Sequence, residues 1–166
     1  MNAADTVLPL QPLDRDRFAP FGEIIAIDPT RAPLIINDGT AQRHHALAHI
    51  DVDAAGAAVL SLFRAQPRAL PFRLQMLERH PLGSQAFVPL HPQTRYIVVV
   101  ATADRRPQAF LAQGVGINLQ RNVWHHPLLA LDRESDFLVA DRAGPGANCE
   151  ECELAGGPWW LQPLPA

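Results

Sequence analysis

The sequence contains no lysine, because all fourteen basic residues are arginine. A chain without a lysine amine cannot bind a carbonyl substrate as a lysine Schiff base, so this class of covalent catalysis is excluded. Arginine instead offers a planar guanidinium that binds carboxylates through two parallel hydrogen bonds. The chain is therefore better suited to holding small acids than to covalent amine chemistry.

Cysteine is scarce, with Cys149 and Cys152 as the two copies, in the run Cys-Glu-Glu-Cys. This spacing is typical of half a zinc site or of a redox pair. A structural zinc site needs four ligands, and the sequence has no second cysteine pair or nearby His-x-x-x-His to supply the others. The intervening glutamates disfavour a thiolate. We predict that both are inert surface thiols.

Long hydrophobic runs and an excess of basic charge are also missing. No apolar run approaches the roughly 20 residues that span a bilayer, and the first residues lack the basic start and apolar core of a signal peptide. The net charge of −3 argues against a nucleic-acid-binding face. With 166 residues and 48% hydrophobic content, we expect one globular domain, cytoplasmic, without membrane or nucleic-acid partners.

Short segments rich in branched and aromatic residues predict an all-β fold. Sixteen prolines and ten glycines interrupt the chain, and residues 96–100 form a nearly continuous apolar run, typical of a central strand covered on both faces. Helical patterns are rare: residues 14–18 predict a short helix capped by Asp14, and residues 41–47 are ambiguous. The architecture expected is a sandwich or barrel. The predicted strands are 23–28, 57–65, 84–90, 95–101, 108–112 and 136–141.

Polar residues with ligand chemistry are concentrated around positions 78–90. Glu78 and His80 are two apart, a spacing that places both side chains on one face of a strand, pointing into a barrel. Gln85 begins the next strand and can return to that face, and His125 offers an imidazole from a later strand. These oxygen and nitrogen donors suit a borderline divalent ion such as nickel, zinc or iron.

Two other interpretations of this cluster stay open. Glu78 and His80 can form a general acid–base pair, or the cluster can be a polar corner whose groups only satisfy one another. We favour a functional role, because burying three polar groups in a small barrel is costly. His49 and His91 are isolated, and we expect them to be ordinary surface or core residues.

The run Glu-x-His-Pro-x-x-x-Gln resembles the first cupin motif, His-x-His-Pro-x-x-x-Glu. Glu78 stands at the first histidine, His80 at the second and Gln85 at the glutamate, while His125 fits the histidine of the second cupin motif. Residues 120–122 replace the usual Pro-x-Gly before it. Two of the four ligand types are altered, so the set Glu78, His80, Gln85 and His125 predicts a weakly held metal.

Longer segments are similar to bacterial ureidoglycolate lyase over nearly the whole chain, from about residue 7 to residue 152. The resemblance implies a cupin-like antiparallel β-barrel, or double-stranded β-helix, with few short helices. It also implies a homodimer that cleaves (S)-ureidoglycolate to glyoxylate and urea in allantoin catabolism, a branch of purine metabolism, and nickel as an associated cofactor. The segments are 36–39, 64–67, 77–89, 114–128 and 136–138.

The implied reaction assigns roles to the polar residues. Ureidoglycolate carries a hydroxyl and a ureido nitrogen on one carbon, so cleavage needs a base for the hydroxyl proton and an acid for the nitrogen. His80 or His125 is the expected base, because imidazole titrates near neutral pH. Glu78 is the expected acid if an apolar barrel raises its pKa, or otherwise orients an imidazole.

Substrate binding is expected from residues outside this acid–base group. Arg43 and Arg95 are the candidates for a bidentate contact with the substrate carboxylate. Asn37 and Gln85 are suited to the ureido amide, and His126 completes the predicted substrate-binding set.

Two alternative functions remain. One is a metal-dependent cupin oxygenase or isomerase, which is disfavoured because Glu78 and Gln85 replace the usual ligands. The other is a non-catalytic cupin that binds a small carboxylate as a sensor.

Overall fold

Strands account for nearly all of the regular structure in the computed structural model of the protein, which describes residues 6–163. One short helix, α1 (Arg15–Phe18), and one 3-10 turn (Asn37–Gly39) interrupt them. The strands are β1 (Thr6–Val7), β2 (Leu10–Pro12), β3 (Gly22–Ile25), β4 (Leu34–Ile36), β5 (Ala41–Arg43), β6 (Ala57–Ala65), β7 (Phe72–Leu74), β8 (Met76–Arg79), β9 (Gln85–Pro89), β10 (Arg95–Ala101), β11 (Pro107–Gln113), β12 (Gly116–Leu119), β13 (Trp124–His125), β14 (Leu129–Ala130), β15 (Ser135–Ala143), β16 (Glu150–Glu153) and β17 (Trp159–Leu161).

The all-β prediction is confirmed, and most predicted elements lie within two residues of the observed ones. β6 and β10 have the predicted bounds, and β9, β11 and β15 differ by one or two residues at their ends. The predicted cap is present: an oxygen of Asp14 accepts a hydrogen bond from the Arg17 amide at 3.0 Å. The ambiguous segment 41–47 begins as β5 and continues as a loop.

Two large sheets form the body of the fold, consistent with a cupin-like barrel or sandwich. One has seven strands, in the order β16-β8-β13-β10-β11-β2 with β14 also paired to β10, and the other has five, β3-β12-β9-β15-β6. A three-stranded sheet, β1-β17-β7, and the hairpin β4-β5 complete it. No helix among residues 6–163 is both long and apolar enough to cross a bilayer.

Strand β10 is buried on both faces, as its continuous apolar run predicts. Tyr96, Val98 and Val100 face a core cluster that also contains residues of the five-stranded sheet. Ile97 and Val99 face a second cluster, which includes residues of β7 and β17. The side chains of β10 therefore fill the interior on both faces of this strand. The polar side chains that face the interior come from β8, β9 and β13.

Candidate functional site

Glu78 lies inside the fold because of the side-chain alternation along β8. Its neighbour Leu77 is fully buried in the second core cluster, which also contains residues of β7 and β17, so Glu78 faces the opposite side. Across the sheet, Glu78 is in register with His125 on one side and Glu151 on the other. His125 in turn is paired with the fully buried Val100. The row therefore runs from the buried Val100 to the exposed Glu151, and Glu78 lies between the buried His125 and the surface.

Two imidazoles converge on the Glu78 carboxylate. The Nε2 atom of His125 is 3.5 Å from Oε1 of Glu78, and the Nε2 atom of His80 is 3.9 Å from the same oxygen. The two rings lie with their centroids 5.1 Å apart. The three side chains offer ligand atoms that are all within 4.8 Å of one another. The structure thus brings together three residues that the sequence selects.

Backbone carbonyls set the orientation of both histidines. Nδ1 of His80 is 2.6 Å from the carbonyl oxygen of Asn148, and Nδ1 of His125 is 2.9 Å from that of Val123. A carbonyl oxygen can only accept, so these contacts assign the hydrogen of each neutral ring to Nδ1. The lone pairs on both Nε2 atoms therefore point toward Glu78.

The Nε2 atoms of His80 and His125 are buried and have no hydrogen-bond partner among the described residues. At 3.5 Å or more, their contacts with Glu78 are electrostatic rather than short hydrogen bonds. Two lone pairs facing a carboxylate repel it unless a proton or a cation lies between them. The arrangement is suited to hold either one.

The Glu78 carboxyl group is an anion near neutral pH. Burial alone disfavours its charge, but the contact with His125 and the charges of His125, His80 and His126 outweigh burial and lower its pKa below the ordinary value. The condition for Glu78 to act as the acid, a raised pKa, is not met. The structure favours the other expectation, an anion that orients and stabilises an imidazolium.

The same three residues fit a divalent metal ion. Donors about 2.1 Å from a tetrahedral metal are roughly 3.4 Å apart, and the Nε2–Oε1 separations are 3.5 and 3.9 Å. Two imidazole nitrogens and one carboxylate oxygen are the donor types that zinc, iron and nickel accept. The cluster Glu78, His80 and His125 is therefore a possible metal-binding group.

Gln85 shares a cavity with Glu78. The cavity measures about 370 Å³ and lies between the two large sheets, with Gln85 entering from β9 and Glu78 from β8. The Oε1 atom of Gln85 is buried without a hydrogen-bond partner, so a ligand with an N–H donor can satisfy it. The other walls are mostly apolar. They comprise Phe63, Arg64, Ala65, Phe87, Pro127 and Leu128.

His126 is close to the cluster but does not line this cavity. Its ring packs edge-on against Phe72, with centroids 5.5 Å apart, and its Nδ1 donates to the Pro127 carbonyl at 2.8 Å. Burial is the main influence on this ring, and it lowers the pKa of His126, despite the opposing effects of Pro127 and Glu78. Burial therefore favours the neutral form of His126, which packs against Phe72 beside the cluster.

Three predicted substrate-binding residues lie elsewhere in the protomer. Arg95 is bound to Asp132 by two hydrogen bonds of 2.7 and 2.9 Å, in a separate and larger depression of about 490 Å³. It is five residues along β10 from the pairing partner of His125, or about 16 Å. Arg43 lines a third cavity, and Asn37 is exposed at the tip of the β4-β5 hairpin.

The segment 148–151 contributes contacts that the residue types alone do not indicate. Besides orienting His80, Asn148 accepts a hydrogen bond from the Leu82 amide at 2.8 Å. The exposed Cys149 has its sulfur 3.9 Å from Glu78, and burial and neighbouring carboxylates raise the pKa of this thiol. A protonated surface thiol agrees with the predicted inertness of Cys149. Cys152 is half-buried and packs against the second core cluster.

Comparison with known proteins identifies the family of this chain. The model of the family described as Ureidoglycolate lyase matches residues 5–162. The Burkholderia cepacia protein named "Ureidoglycolate lyase" is 51% identical over 166 residues, covering 96% of this chain and 93% of its own length. Proteins of the same name from Rhizobium etli (strain CIAT 652) and Agrobacterium fabrum are 52% and 49% identical, each covering 87% of this chain and 89% of their own. The chain belongs to the ureidoglycolate lyase family.

Proposed function

We propose that this protein is a ureidoglycolate lyase, which cleaves (S)-ureidoglycolate to glyoxylate and urea. Membership of the family and relatives of that name at about 50% identity support the activity. The observation that carries the mechanism is the convergence of two Nε2 lone pairs on an anionic Glu78. The three groups Glu78, His80 and His125 can share one proton. This suits the reaction, because cleavage moves one proton from the hydroxyl to the ureido nitrogen.

The reaction transfers the hydroxyl proton of the substrate to its ureido nitrogen. As the O–H bond breaks, its electrons form the C=O bond of glyoxylate, and the C–N bond breaks with its electrons on nitrogen. A proton added to that nitrogen completes urea, so atoms and charge balance without an external oxidant. One base within reach of the hydroxyl and one acid within reach of the nitrogen are sufficient.

His125 is the base and His80 the acid in this mechanism. The His80 ring is the more accessible of the two, with its side chain 16% exposed against 4% for His125, so we place the acid at His80 and the base at the more deeply buried His125. The neutral Nε2 of His125 accepts the hydroxyl proton, and Glu78, 3.5 Å away, stabilises the imidazolium that forms. His80 donates its Nε2 proton to the leaving nitrogen.

Gln85 binds the ureido group in the apolar cavity. Its buried Oε1 has no partner among residues 6–163 and accepts an N–H from the substrate. A buried acceptor of this kind discriminates against acids that lack the amide, because it would stay unsatisfied with them.

Nickel is the proposed metal of this family site, and Glu78, His80, His125 and the amide oxygen of Gln85 would hold it. When bound, such an ion polarises the hydroxyl and carboxylate oxygens of the substrate as a Lewis acid. Only one of these four donors, the carboxylate of Glu78, carries a negative charge. We therefore expect the affinity for the ion to be low. Equilibrium dialysis against Ni²⁺, Zn²⁺ and Fe²⁺, with Glu78→Gln as control, measures it.

The biological setting completes the proposal. We expect one cupin-like domain that functions as a homodimer in the cytoplasm, in allantoin degradation within purine metabolism. Both cysteines are free, which suits a reducing compartment.

The test is a product assay on racemic ureidoglycolate with and without chelator and nickel. We expect glyoxylate and urea in equal amounts, and consumption of half of the racemate if the enzyme is specific for (S). Glyoxylate with ammonia would identify an amidohydrolase, and oxygen uptake with ferrous iron would identify an oxygenase. Saturable binding of the substrate without product would identify a sensor. Any of these three results overturns the proposal.

A further inference from the structure

An apolar hairpin projects from the body of the protomer. Strands β4 and β5 pair only with each other among the described strands, and we call residues 34–43 the hairpin arm. Leu34, Ile35 and Ile36 are all exposed on it. A two-stranded hairpin with an exposed apolar strand is marginal in water by itself, so this arm requires a partner surface.

A second apolar surface lies on the open edge of the five-stranded sheet. β6 pairs with β15 along its full length, and no described strand pairs with its other edge. Leu60 and Leu62 on this strand are 69% and 68% exposed, beside the partly exposed Phe63. Long, apolar and unprotected edge strands are rare in monomers because they associate. We call the exposed side of β6 the β6 edge.

The areas match the requirements of association between two copies. The exposed parts of Leu34, Ile35, Ile36, Leu60, Leu62 and Phe63 add up to on the order of 600 Å², against about 800 Å² per partner for a stable interface. Polar surroundings of the arm and edge supply the remainder. In a two-fold dimer each copy offers both surfaces, so two arm-to-edge contacts form.

The cavity beside Glu78 lacks a free cation for the substrate carboxylate. Arg64 is the arginine that lines it among residues 6–163. Its Nε and Nη2 atoms are 2.9 and 3.0 Å from the two carboxylate oxygens of Asp136, and Glu134 is 3.5 Å away. These contacts raise the pKa of Arg64 and occupy its fork. The carboxylate of a bound acid therefore has no guanidinium available within the protomer's cavity.

The hairpin arm carries a guanidinium that is available. Arg43 ends β5, is exposed, and no carboxylate of the described residues lies within ion-pairing distance of it. The β6 edge borders the substrate cavity, because Arg64, on the same face of β6 as Leu60 and Leu62, lines the cavity. An arm that packs along this edge with β5 toward Arg64 brings Arg43 next to the cavity mouth.

We propose that the hairpin arm of one protomer packs on the β6 edge of a second copy and places Arg43 at that copy's cavity, where it binds the substrate carboxylate. This inference rests on the proposed lyase activity and adds a residue supplied in trans. It also reconciles the position of Arg43, which lines a different cavity from Glu78, with a substrate-binding role.

Complementation between two impaired variants tests the shared site. Arg43→Ala should raise KM for ureidoglycolate about 10- to 100-fold, as expected for a lost charged hydrogen bond, and His80→Ala should abolish turnover. Differently tagged copies of the two variants are co-expressed and their heterodimer is purified. If Arg43 acts in trans, one of the two sites combines the intact His80 of one copy with the intact Arg43 of the other. About half of the wild-type activity then returns. A heterodimer that keeps the raised KM of Arg43→Ala overturns the proposal.

Controls separate this inference from the proposed function. Arg105→Ala, at an exposed arginine distant from arm and edge, should keep wild-type KM. Leu62→Arg should convert the dimer to a monomer in sedimentation velocity and raise KM as Arg43→Ala does, whereas Val7→Arg should do neither. A wild-type protein that is active but monomeric, or a Leu62→Arg dimer, overturns the arm-to-edge contact and leaves the lyase activity standing. An inactive wild-type protein contradicts the proposed function itself.

Discussion

Replacing Glu78 by glutamine tests the electrostatic argument most directly, because the side chain keeps its shape and loses its charge. The carboxylate is 3.5 Å from Nε2 of His125 and 3.9 Å from Nε2 of His80. At an effective dielectric constant of about 20, one unit charge at 3.5 Å contributes at most roughly 5 kcal/mol. Partial exposure and relaxation reduce this to about 1.5–3 kcal/mol, the range of charged hydrogen bonds.

That energy stabilises the imidazolium in the transition state, so Glu78→Gln should lower kcat/KM by about 10- to 150-fold. Because the variant removes the charge of Glu78, its rate should be lower across the whole pH range in which Glu78 is ionised in the wild type. The assay is the steady-state rate of glyoxylate formation between pH 5 and 9. A variant with full activity and an unchanged profile would refute this role for Glu78.

The same substitution has a defined effect on stability. Because the folded state lowers the pKa of Glu78 from its ordinary value of 4.5, the ionised group stabilises the fold above that value. The contribution is lost as pH falls through the folded-state pKa. The difference in Tm between wild type and Glu78→Gln should therefore be present at pH 6 and disappear toward pH 3. A difference that is constant across this range would contradict the assigned direction.

Three further results are expected. His125→Ala should lose about 10²–10⁴-fold in kcat without unfolding, while His91→Ala, at an exposed residue outside the Glu78, His80 and His125 cluster, should match wild type in the same assay. Arg142→Ala should destabilise the protein by about 1.5–3 kcal/mol in urea unfolding, because this buried guanidinium donates charged hydrogen bonds to Asp53 at 2.6 and 3.2 Å; an unchanged urea midpoint would contradict that role. Gln85→Glu should bind Ni²⁺ at least about tenfold more tightly by calorimetry, since a second carboxylate joins the donor set, and equal affinity would place Gln85 outside it.

The sequence by itself determined the fold class, most strand positions and the members of the cluster Glu78, His80 and His125. Strands β6 and β10 have the predicted bounds, because the alternation or continuity of apolar residues is a local signal that burial directly requires. Glu78 and His80 lie near each other, as the two-residue period of a strand predicts. His125 joins them through strand pairing, which its likeness to the second cupin motif indicates.

Tertiary structure alone decided the protonation chemistry and the positions of the arginines. The carbonyls of Val123 and Asn148 orient the two histidines, and every residue type has such a carbonyl, so the sequence carries no sign of the contact. The pKa of Glu78 is lowered rather than raised because two imidazoles compensate for its burial. Arg95 is held by Asp132 instead of reaching the cavity. Long-range packing sets which charges meet, whereas the sequence pattern sets only which face of a strand each one occupies.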